Sequence, residues 1–190
     1  MIDFTQAWIA TLQRVTASTL VTPDAATSLD SGVLSIREAA KRRIKDGGGR
    51  FVLIGNGGSL ATAAHIATDF ALAGWPSIAL VDAVAITSHA NDFGLEASFT
   101  KQFELMRLGP NDIVVALSCS GRSPNIIDAV RAARGARNFV ITFSGFDPDN
   151  PLRRLGDLNF YVPAHEYGFV QLAHESILHA ACDFEGGWHP

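Results

Sequence analysis

Residues 51–59 read Phe51-Val52-Leu53-Ile54-Gly55-Asn56-Gly57-Gly58-Ser59. Four consecutive apolar residues without polar alternation describe a strand buried on both faces, as strands of a parallel sheet are. The glycines then break the run, and a helix is expected over residues 59–73. The same text recurs downstream. Short runs rich in Val, Ile, Leu and Phe occupy residues 77–81, 113–117, 139–143 and 159–162, with helices expected near 96–107, 123–135 and 169–184. This alternation predicts an α/β fold with a doubly wound, parallel, five-stranded sheet, in which ligands sit beyond the carboxyl ends of the strands.

Upstream of the first strand, Phe4, Trp8, Ile9, Leu12 and Val15 recur at helical spacing, as do Leu29, Val33, Ile36, Ala39, Ala40 and Ile44. Pro23 and Asp24 punctuate the two patterns. The second ends in Lys41, Arg42, Arg43 and Lys45, cations suited to a helix C-terminus, and stops at Gly47-Gly48-Gly49. Both apolar stripes are narrow, so residues 1–46 are expected to pack on another subunit as well as on their own sheet. The length of 190 residues fits a single domain, with this helical oligomerisation segment leading into an α/β core over residues 50–185.

Apolar residues at 47% and charged residues at 18% exclude a disordered chain, and 17 Gly with 8 Pro show no collagen-like period. A net charge of −4 and a pI near 5.8 lack the electrostatic footprint of a nucleic-acid binder, so an anionic ligand must be held by local groups. Cys119 and Cys182 have no metal-site spacing and read as reduced cytosolic thiols. Residues 1–10 carry Asp3 and no basic n-region, and Gly74, Pro76 and Asp82 interrupt the longest apolar stretch. A cytoplasmic protein with no membrane partner is expected.

Two strand-to-helix turns carry the chemistry: Gly55-Asn56-Gly57-Gly58-Ser59, and Ser118-Cys119-Ser120-Gly121-Arg122-Ser123. Free N–H groups and the positive helix end make such turns anion sites, and hydroxyls add donors without net charge, which suits a phosphate. For either loop alone the simpler reading is that Ser59 and Ser123 are N-caps. Two such loops at two strand ends shift the balance. Neither is a Walker A loop, and the spacing lacks the last glycine of the dinucleotide fingerprint.

His65 and Asp69, four residues apart, share one helix face, while Gln171, His174, Glu175 and His179 crowd another helix. Imidazole with carboxylate can hold a divalent metal or move protons. Gln171 and His179 lie ~12 Å apart along an ideal helix. They share one ion only if Gln171 sits in an irregular turn or the two come from different subunits; otherwise His174 or Glu175 takes the role. His89-Ala90-Asn91-Asp92-Phe93-Gly94 reads as a turn suited to sugar hydroxyls, or equally as a loop with an Asx cap.

Taken together, GNGGS at 55–59, His65 four residues before an acid, NDFG at 91–94, SCSGRS at 118–123 and Gln171/His174/His179 resemble the SIS (sugar isomerase) domain family and, within it, the phosphoheptose isomerases. The resemblance covers nearly the whole chain. It implies a flavodoxin-like sheet and a homotetramer with sites at subunit interfaces. It further implies a sugar phosphate held by Asn56, Gly57, Gly58, Ser59, Asn91, Asp92, Ser118, Cys119, Ser120, Ser123 and Gln171, and one zinc ion (Zn2+) per subunit on His65, Asp69, Gln171 and His179. Asp69 and His179 would serve as base and acid in converting sedoheptulose 7-phosphate to D-glycero-D-manno-heptose 7-phosphate through an enediol.

This chain departs from the family with Asp69 for Glu, Cys119 for Thr, Arg122 for Asn, and Gly168 where an acid usually precedes the Gln by three. The segment between His65 and Asn91 is also shorter and lacks a basic loop. The alternatives are a phosphosugar-binding protein or an adaptor resembling the DnaA-initiator-associated members, which tend to lose the terminal His kept here as His179, or an isomerase of another phosphosugar.

Overall fold

The computed structural model describes residues 3–22 and 28–188; the punctuation expected at Pro23 and Asp24 lies outside them. Elements follow in the order α1 (Phe4–Ala17), β1 (Leu20–Thr22), α2 (Leu29–Ala39) with a π-helical extension Ala40–Lys45, β2 (Phe51–Gly55), α3 (Gly58–Leu72), β3 (Ser77–Ala79), α4 (Ala83–Phe93) and α5 (Ser98–Met106). They continue as β4 (Ile113–Ser118), α6 (Pro124–Gly135), β5 (Phe139–Ser144), β6 (Leu158–Tyr161) and α7 (Tyr167–Glu185). Among the described residues no helix is long and apolar enough to cross a membrane.

The sheet has six strands in the order β1-β6-β5-β4-β2-β3, one more than the five expected. The addition is β1, an edge strand antiparallel to β6 that pairs Leu20 with Tyr161 and Val21 with Phe160. Three residues are too few to show a period. The other strands are parallel and fall on the apolar runs, although β3 stops at Ala79, short of the expected 81.

Alternate side chains of the central strands serve two cores, as the period of two requires. Phe51, Leu53, Ile113, Val115, Ile141 and Phe143 face α2, α3 and α7 on one side. Val52, Ile54, Val114, Ala116 and Val140 face α5 and α6 on the other. Sheet growth reverses at β2, whose neighbours are β3 and β4. The carboxyl ends of β2 and β4 therefore flank a switch-point crevice, where open α/β sheets bind ligands. Both Gly/Ser turns open there.

Candidate active site

The glycines of the first turn have separate tasks. Gly57 has φ +54°, a left-handed backbone that side chains rarely adopt, and it stands at the N-cap of α3. Gly58 leaves room for Gln171, whose Nε2 would be 2.5 Å from a Cβ placed there. Ser59 lies inside the first turn of α3, not at its cap, and is buried with Oγ 3.7 Å from Cys119 Sγ. Ser123 occupies the N-cap position of α6 but makes no capping hydrogen bond; its Oγ lies 3.3 Å from Ser118 Oγ. Ser59 is therefore no cap, Ser123 holds the cap position without an ordinary cap's side-chain bond, and both hydroxyls line the crevice.

Asn56, Ser59, Ser118, Cys119, Ser120, Ser123 and Gln171 line one cavity of about 150 Å³, joined by Tyr167. Asn56 and Asn125 brace it through reciprocal amide hydrogen bonds of 3.0 and 2.9 Å. Burial pushes the Cys119 thiol up, partly offset by its hydrogen bonds with Ser59 and Gln171, so no thiolate opposes an anion. Among the described residues no cation lines the cavity. Arg122 pairs instead with Asp147, whose carboxyl lies below its ordinary range because the Asp149 N–H and then Arg122 bond to it. What remains is a cradle of neutral donors at the N-termini of α3 and α6, suited to a phosphate.

Asn91 and Asp92 do not line this cavity. The turn expected at 89–94 is the last part of α4, where Asn91 Nδ2 donates to Asp92 Oδ1 at 2.9 Å and only Gly94, at φ +87°, turns the chain.

Further along α3, Asp69 Oδ2 stands 3.4 Å from His65 Nε2 and 3.5 Å from His179 Nδ1 on α7. The two imidazoles meet edge to face at 5.2 Å. Ligand atoms of His65, Glu175 and His179 all lie within 4.8 Å of one another, and Thr62 Oγ1 orients Glu175 by donating to its Oε2 at 3.1 Å. Helix α7 is regular from Tyr167, so Gln171 is not in an irregular turn; it lies at the serine cradle, and Glu175 is the α7 residue that joins the histidines. His174 points elsewhere, buried against Phe143 with Nε2 donating to the Ser144 carbonyl at 3.1 Å. Imidazoles with a carboxylate are a donor set that fits zinc.

Glu175 was legible in the sequence only as one of several candidates. Tyr167 was missed, since a lone aromatic at a helix start carries no pattern.

The SIS domain family matches residues 26–145, and the chain belongs to it. More particularly, it resembles the phosphoheptose isomerases, and it is an isomerase. The phosphoheptose isomerase of Roseiflexus sp. (strain RS-1) is 36% identical over 143 residues, covering 72% of each chain. That of Burkholderia pseudomallei (strain 1710b) is 34% identical over 181 residues, 92% of this chain and 88% of the relative. The solved phosphoheptose isomerase of Neisseria gonorrhoeae superposes with a TM-score of 0.83 at 28% identity, covering 97% of both chains.

Proposed function

We propose that the chain isomerises a phosphosugar between aldose and ketose, with sedoheptulose 7-phosphate and D-glycero-D-manno-heptose 7-phosphate as the pair, through an enediol. The observation that carries this reading is the Asp69 carboxylate set between His65 and His179, on the helix whose other end forms the serine cradle. Along α3 the rise is ~9 Å from Ser59 to His65 and ~15 Å to Asp69. A seven-carbon chain with a terminal phosphate suits that separation, whereas a triose phosphate is too short.

Ser59, Ser118, Ser120 and Ser123 bind the phosphate, and Gln171 orients the chain beside it. Asp69 removes the carbon proton and returns it to the neighbouring carbon. His179 moves the proton between the two oxygens as general acid and base. His65, Glu175 and His179, with Asp69 beside both histidines, are the side chains that would hold zinc, and Gln171 stays with the serine cradle; a bound ion would polarise the sugar carbonyl. The reading includes a cytoplasmic homotetramer with sites completed at subunit interfaces.

The test is a panel of ketose and aldose phosphates followed by NMR in deuterated water. Solvent deuterium at C2 of the aldose phosphate, or at C1 of the ketose phosphate, is the expected result. No exchange with any sugar would overturn the isomerase reading in favour of phosphosugar binding alone.

A further inference from the structure

We infer that Tyr167 is a substrate-binding residue for the phosphorylated end of the sugar, presented at the rim of the serine cradle by a strained aromatic platform at Phe146. The inference rests on the cradle being a phosphosugar site. Tyr167 opens α7 and is 63% exposed, and among the described residues its ring is the only aromatic one lining the cradle cavity. Its hydroxyl has no hydrogen-bond partner among the described residues. An exposed phenol gains little from packing, but here its ring is held, 4.9 Å from Phe146 and nearly perpendicular to it.

Phe146 in turn stacks on His165 at 6.1 Å and has φ +59°, a left-handed backbone unfavourable for a bulky side chain. Such a conformation persists only where its surroundings over-determine it, and it clusters at functional sites. Both sides of Phe146 are fastened: its N–H donates to the Ala164 carbonyl at 2.9 Å, and its own carbonyl accepts from the Tyr161 hydroxyl at 2.9 Å. The preceding Gly145 N–H donates to the Cys119 carbonyl at 2.9 Å, which ties the platform to the cradle loop itself. A glycine or asparagine would take this backbone more easily. The phenylalanine supplies a ring, and that ring fixes Tyr167 beside Ser59, Ser118 and Gln171. The Tyr167 ring then walls the open side of the cradle, and its free hydroxyl donates to a phosphate oxygen.

Calorimetric binding of sedoheptulose 7-phosphate and of inorganic phosphate, with steady-state kinetics, is measured on the wild type, Tyr167→Phe, Tyr167→Ala and Phe146→Gly. A hydrogen bond to a charged group predicts that Tyr167→Phe weakens both ligands by about tenfold or more. Tyr167→Ala weakens them at least as much, raising KM while kcat changes far less. Phe146→Gly relieves the backbone strain, so it raises KM without a matching fall in unfolding temperature; a merely structural Phe146 would lower the temperature and leave KM alone. Wild-type KM and phosphate affinity in both Tyr167 variants would overturn the inference while the isomerase reading stands. A wild type that binds neither ligand would remove the phosphosugar reading and this inference with it.

Discussion

Asp69 is one methylene shorter than the glutamate usual in the resembling family, yet its Oδ2 reaches both His65 and His179 within 3.5 Å. The site is therefore built to the length of aspartate. Asp69→Asn keeps the shape and removes the base, so turnover should fall by ~10²-fold or more with the fold intact. Asp69→Glu should push the carboxylate past its position between the imidazoles and also lose rate, since a misplacement of about 1 Å can cost ~10²-fold. NMR exchange rates check both; a faster Asp69→Glu enzyme would mean that the shorter side chain limits the natural protein. His174 governs a different property. Desolvation lowers its pKa from 6.5 to about 4, only partly offset by its hydrogen bond to Ser144, and its Nδ1 is buried without a partner. Between those values the unfolded chain binds the proton and the folded chain does not, so stability rises with pH across that window. About 3 kcal/mol, fully present above pH 6.5, should be lost as pH falls toward 4. Urea unfolding at pH 7 and pH 4.5 measures it, and His174→Gln should flatten that part of the profile.

Two helix starts build the cradle, and they differ from ordinary capped ends. Because the Ser123 hydroxyl makes no capping hydrogen bond to α6, Ser123→Ala should leave the unfolding temperature nearly unchanged while weakening sugar-phosphate binding by ~1–3 kcal/mol. Ser120→Ala should weaken it similarly. Calorimetry and thermal unfolding separate these effects, and an unchanged affinity would take the two serines out of the site. The parallel strands were legible because burial on both faces leaves an uninterrupted apolar run, and the Gly/Ser turns were legible because the backbone at Gly57 admits little else. Helix α4 was not legible. None of its residues is buried, so it has no apolar stripe facing the core, and Asn91-Asp92 near its end mimic a turn. The pairing of Glu175 with His65 is a contact between α3 and α7 that no spacing along the chain reveals.

Among the described residues, several of the exposed large apolar side chains lie on α1 and around α4. Phe4, Trp8 and Ile9 on α1 are 80%, 42% and 47% exposed, and of α1 only Val15 is buried. Helix α4 and the turn after it add Val84, Phe93 and Leu95, each more than half exposed. Asp69 and His179 also border an open depression of about 610 Å³ with Leu72 and Trp188. Exposed apolar side chains of this size would suit the subunit interface of the proposed tetramer. Sedimentation should therefore give a tetramer of the 20.3 kDa chain at micromolar concentration. The double change Phe4→Glu with Ile9→Glu places two charges on α1 without touching the sheet cores. It should release monomers that keep the α/β circular-dichroism signature and lose isomerase activity by ~10²-fold or more, because the open side of the Asp69 and His179 site would then admit water to the enediol step. Monomers with full activity would show that one chain holds the complete site, and a wild type sedimenting as a monomer would leave these helix faces without the partner their composition demands.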